Sequence, residues 1–157
     1  MEGSPNEAVA EAESLVNGCL AQAARLLNEQ GGDFHPFSAW LDEAGTPHYT
    51  LDAGKHLAAA DQGELLHQGL RDLAAQGALR AGAVCLIATM TQGDSETGEE
   101  GDPIDAVFIQ SEHRDGEAWS AAVPFERGWG LRRRWKFGEP LLLPGWSFIF
   151  GKPEAAS

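Results

Sequence analysis

The chain has 157 residues, 43% of them apolar, and carries 24 Asp/Glu against 11 Lys/Arg for a net charge of −13. This is enough chain for one domain around one core, and an acidic field of that size argues against nucleic acid or anionic membrane as partner over most of the surface. No apolar run approaches the roughly 20 residues that span a bilayer, and the N-terminus lacks the basic and apolar regions of a signal peptide, so the expected compartment is the cytoplasm.

Ser4-Pro5-Asn6-Glu7 has the form of a helix start, with Ser4 as cap, Pro5 in the first turn and Glu7 closing a capping box. Leu15/Val16, Cys19/Leu20, Ala23 and Leu26/Leu27 then recur at steps of three and four, one stripe on one face. Gly31-Gly32 ends the run, so the first helix is expected over about residues 5–30.

Phe37, Ala39 and Leu41 alternate with polar or amphipathic neighbours, a strand that starts late or lies at an edge because Pro36 cannot donate to a ladder. His48 to Leu51 returns after an acidic Gly-containing turn. Asp61 to Ala75 is the second helix, capped by Asp61, with Leu66, Leu70 and Leu73 as its buried stripe. Gly69 inside it costs up to about 1 kcal/mol against Ala, a cost that close approach to the sheet would explain.

Ala83 to Thr91 is apolar on both faces, as a central strand is. Ile104 to His113, Trp119 to Phe125 and Leu131 to Phe137 follow as further strands, and the apolar tail Leu141 to Phe150 is expected to pack down rather than stay wet. The predicted order is α-β-β-α-β-β-β-β. This gives an α+β fold of two layers, a mainly antiparallel sheet with two helices on one face, whose element order also occurs in profilin-like and roadblock-like folds. The domain is expected over residues 5–151, with flexible termini at 1–4 and 152–157 and an acidic mobile loop at 92–103.

Several motifs carry a resemblance. Phe34-His35-Pro36-Phe37 is followed by the acidic turn Asp42-Glu43-Ala44-Gly45. Asp105-Ala106-Val107 opens a strand ending in Glu112-His113-Arg114-Asp115-Gly116, and the return strand reaches Pro124-Phe125. Over about residues 15–150 the chain resembles a group of small bacterial proteins of uncharacterised activity, and the resemblance implies the fold without implying a reaction.

Charge is unevenly spread. Residues 1–126 hold 22 acids and 5 Lys/Arg (−17), and residues 127–157 hold 2 acids and 6 Lys/Arg (+4). On a strand, Arg132, Arg134 and Lys136 share one face, and Arg133 shares the other with Trp135. This segment reads either as an anion site or as an outer strand whose charges discourage edge pairing. With Trp119 and Trp129 it forms the candidate interaction surface: Trp119, Trp129, Arg132, Arg133, Arg134 and Trp135. Trp129, flanked by Gly128 and Gly130, is the tryptophan expected to be exposed.

No catalytic, cofactor or metal motif is present. The acidic loop lacks the glycine of an EF-hand and is flanked by strands. His35, His48, His56 and His67 show no zinc-type spacing, although a composite site using His35 and His48 across the first hairpin stays open. Glu112 and His113 point to opposite faces, and His113 reads as a solvated strand end. Cys19 and Cys85 read as core thiols, free or joined in a disulfide the fold does not need. The chain is thus expected to be a non-enzymatic protein-interaction module of immunity or adaptor type, with a basic protein as partner or with a second copy as a homodimer. The alternative is an anion-binding or small-molecule domain, or an enzyme, with a site near residues 131–137.

Overall fold

The stripe of small and branched apolar residues along the first helix is buried as its periodicity requires. In the computed structural model, which describes residues 5–30, 35–51, 57–93, 100–115, 118–127, 135–145 and 147–150, helix α1 spans Pro5–Gln30. Leu15, Cys19, Ala23 and Leu27 on this stripe are all buried. Full burial of a leucine such as Leu27 stabilises by about 1.5–3 kcal/mol. Ser4, the expected cap, lies outside the described residues.

The remaining elements are β1 (Phe37–Leu41), β2 (Pro47–Thr50), α2 (Ala59–Ala75), β3 (Ala81–Gly93), β4 (Glu100–His113), β5 (Ala118–Arg127), β6 (Trp135–Phe137) and β7 (Leu141–Pro144). The strands pair antiparallel in the order β2-β1-β3-β4-β5-β6, with β7 also on β5. The α+β class and the mainly antiparallel sheet are therefore as the sequence predicts. Strand β1 starts directly after Pro36 but is interior, lying between β2 and β3. The β3–β4 ladder reaches from Ala81↔His113 to Gly93↔Glu100, so the strands run into both ends of the acidic stretch expected as a loop over 92–103.

One part of the expected architecture is corrected: the helices lie on opposite faces of the sheet. Phe37, Ala39, Leu41, Ala83, Cys85, Val107, Ile109 and Val123 form one cluster with the α1 stripe. The alternate residue Val84 joins Leu66 and Leu70 of α2, with Trp40 and Leu86 packed alongside. The reason is visible in β3, which is apolar on both sides and needs a layer on each. Both β2 and β3 are antiparallel to β1, hence parallel to each other, and α2 makes the crossover between them over β1.

Two smaller corrections concern α2. Its N-cap is Ala58, with no side-chain cap hydrogen bond, and Asp61 sits in the first turn instead. A Cβ added at Gly69 would meet nothing within 4 Å, so close helix–sheet approach is not the reason for that glycine. The close approach occurs at Gly82 on β3, where a Cβ would come within 2.7 Å of Ile149 and 3.2 Å of Leu70.

The outer edge of β5 is occupied by one interrupted strand. Strand β6 pairs Phe137 with Phe125, Gly138 N–H donates to the Pro124 carbonyl at 2.7 Å, and β7 then pairs Leu141 with Ala122 after the register slips by one residue. Residues 131–134, expected at the start of this strand, lie outside the described residues. The tail packs down as expected: Phe148 and Ile149 are buried in the α2 cluster. Leu141, Leu142 and Leu143 do not, remaining 50%, 68% and 36% exposed.

Candidate functional site

Two consecutive residues at the end of β4 fasten the two faces. Glu112 stands opposite Gly82, and His113 opposite Ala81, so their side chains leave the sheet on the α2 and α1 sides respectively. The Glu112 side chain is buried and reaches the segment after β7. Its Oε1 accepts from the backbone N–H of Phe148 (3.1 Å), Ile149 (2.8 Å) and Phe150 (3.2 Å), and its Oε2 accepts from Ser147 Oγ (2.7 Å). A buried carboxylate is tolerable when its lone pairs are filled in this way. Arg71 Nε donates to the Phe148 carbonyl at 2.9 Å, and the His67 ring lies 5.1 Å from that of Phe148, so helix, segment and strand are tied together.

On the other face, His113 Nε2 lies 3.0 Å from Glu11 Oε1 of α1, and Arg80 Nη2 reaches the same oxygen at 3.2 Å. The Asp115 N–H donates to His113 Nδ1 at 2.9 Å, which leaves Nε2 to carry the ring proton toward Glu11. His113 is therefore a buried strand-end residue and not a solvated one, because α1 covers it. Arg114 pairs with Glu43 of the β1–β2 turn beside this cluster.

The first hairpin uses its ionisable groups for shape. Asp42 accepts from Ala44 N–H and Thr46 N–H, both at 2.9 Å, and from His48 Nε2 at 2.8 Å. The bond to His48, then that to Thr46, hold its carboxyl below the usual range. His48 in turn stacks on Trp40, with ring centroids 4.2 Å apart and planes 14° apart. His48 is thus engaged with Asp42 and Trp40, and His35 is exposed. Among the described residues no group of three or more His, Cys, Asp or Glu could hold a metal ion.

Both cysteines are free and buried in the α1 cluster. Burial pushes the Cys19 thiol up to about 12 and the Cys85 thiol well above its ordinary value. Neither is a nucleophile at neutral pH, since the thiolate is the reactive form.

Most of the expected interaction surface lies outside the described residues. Trp119 is partly buried and packs against the α1 cluster. Trp129, Arg132, Arg133 and Arg134 lie outside the described residues. Trp135 is placed only as a strand residue opposite Arg127. Three ionisable groups, Glu11, Arg80 and His113, do meet, and none of them lines the groove beside α2.

A cavity among the described residues was not expected from the sequence. It is a groove of about 250 Å³ beside α2, walled on the sheet side by Ser38, Trp40 and Thr50 and on the helix side by Leu65, Gly69 and Leu73. The buried Leu66 and Leu70 complete the lining. The only hint of it in the sequence is a helix-interior glycine with no packing duty.

No family model, curated protein or solved structure matches the chain. No described helix is long and apolar enough to cross a membrane.

Proposed function

We propose that this chain is a non-enzymatic protein-interaction module of immunity or adaptor type, and that its partner is a basic protein. The observation that carries the reading is the exposed leucine run on β7. Leu141, Leu142 and Leu143 stand at the margin of the sheet at 50%, 68% and 36% exposure, on a strand whose pairing among the described residues is with β5 alone. Apolar side chains on an edge strand are unusual unless something covers them. The net charge of −13 supplies long-range attraction for a basic partner, and the leucines supply the apolar centre of an interface. Two free, buried thiols fit a reducing compartment such as the cytoplasm.

Capture from native lysate at physiological salt tests this, with the wild type compared against Leu142→Asp. Leu142 is exposed, so the substitution leaves the core intact. The reading predicts a basic protein retained by the wild type and lost from the variant. Absence of any retained partner, or equal retention by both, contradicts it. If the wild type instead sediments as a dimer and Leu142→Asp as a monomer, the occupant of the edge is a second copy of the chain.

A further inference from the structure

We propose that the groove beside α2 binds a small neutral aromatic molecule of one or two rings. Its volume of about 250 Å³ sets the size. A dry cavity of roughly 150 Å³ accommodates benzene, so a ring or fused pair fits here. The lining sets the polarity. Leu65, Leu66, Leu70 and Leu73 are apolar, and among the described residues no Asp, Glu, Lys, Arg or His contributes to the walls. Against these walls a charged ligand would lose its hydration without gaining a partner.

The sheet side adds an aromatic wall and a polar handle. Trp40 is held by its stack on His48, which Asp42 anchors in turn, so the indole is fixed in place before any ligand arrives. Ser38 and Thr50 belong to the same lining, and a hydroxyl is the kind of group that can take one hydrogen bond from a ring N–H or O–H.

Gly69 is the second, independent observation. It sits in the helix interior, where glycine is disfavoured, and added atoms there would meet nothing within 4 Å. Its missing side chain leaves the groove open. Gly63, on the same helix, has equally free space and lies outside the lining. Leucine at position 69 therefore plugs the groove, and leucine at position 63 controls for the change in helix propensity, the Cβ at either position meeting nothing within 4 Å.

The test is a titration of the ¹⁵N-labelled full chain with indole, followed by amide chemical shifts. The proposal predicts saturable shifts confined to the groove, at Ser38, Thr50 and Leu73 among others, with a Kd on the order of 0.1–1 mM. Gly69→Leu should weaken binding by about tenfold or more, and Gly63→Leu should change it by less than about twofold. Absence of saturation, shifts scattered over the surface, or equal binding by Gly69→Leu and the wild type overturns the proposal. The groove lies by β1 and β2, at the other end of the strand order from β7, so this result is independent of partner capture by the leucine edge.

Discussion

The two faces of the sheet are built differently. On the α1 side, a 26-residue helix lays a continuous stripe over β1, β3, β4 and β5, and buried side chains from all of them meet it. On the α2 side, a 17-residue helix covers less of the sheet, and the chain's own residues 148–150 complete the layer. The first face is held chiefly by apolar burial, with the Glu11–His113 contact at its margin. The second depends on one buried carboxylate, Glu112, and keeps an open groove. Neighbouring residues of one strand thus serve opposite layers, because side chains in a strand alternate. A face with a thin apolar layer leans more heavily on its polar anchor.

The largest effect is expected at that anchor. Glu112→Ala leaves three backbone N–H groups without their acceptor, and chemical denaturation should show a loss of about 3–4 kcal/mol. Glu112→Gln, which keeps an acceptor oxygen but not the charge, should lose about half as much. Core truncations sharpen the contrast. Leu27→Ala on the α1 side should cost about 3–4 kcal/mol, and Leu70→Ala nearer 2–3 kcal/mol, since the region beside the groove has room to relax. Equal costs would show that the two layers pack alike.

Breaking the clasp on the α1 side should matter less. His113→Ala should cost about 1–2 kcal/mol in thermal or chemical unfolding, because Glu11 keeps Arg80 and partial solvent. Alkaline pH probes the same face. A thiol with its folded pKa raised to about 12 stays protonated in the native state while the unfolded chain loses its proton from about 9 upward. Stability is therefore full below pH 9 and falls as pH rises, by about 1 kcal/mol from Cys19 at pH 10. Cys19→Ala should flatten that slope. Gly69→Ala should give the smallest change and the opposite sign, a gain of about 0.5–1 kcal/mol in thermal unfolding.

Much of the framework was legible because it follows from local periodicity. The α1 boundaries, the alternation of Phe37, Ala39 and Leu41, and the doubly apolar β3 were all readable from spacing. The doubly apolar strand also held the clue that one helical face would not suffice, yet placing α2 on the far side required knowing that β3 pairs with β1. The Glu112 contacts span 35–38 residues of sequence and join a side chain to backbone N–H groups, which leave no trace in residue types. His113 looked like a solvated strand end because its cover, Glu11, lies 102 residues away. The tryptophan and arginine surface was drawn from composition. Of its members, Trp119 is held by the core, because Ala121, Val123 and Phe125 on the same strand point the same way.

Amide hydrogen exchange at Phe148, Ile149 and Phe150 tests the central claim most directly. In the wild type these three N–H groups should exchange as slowly as that of Ile109 in β4. In Glu112→Gln they should exchange far faster, while Leu27 in α1 stays protected. Rapid exchange of residues 148–150 in the wild type, or undiminished protection in the variant, would contradict the assignment of Glu112 as the group that closes the second face.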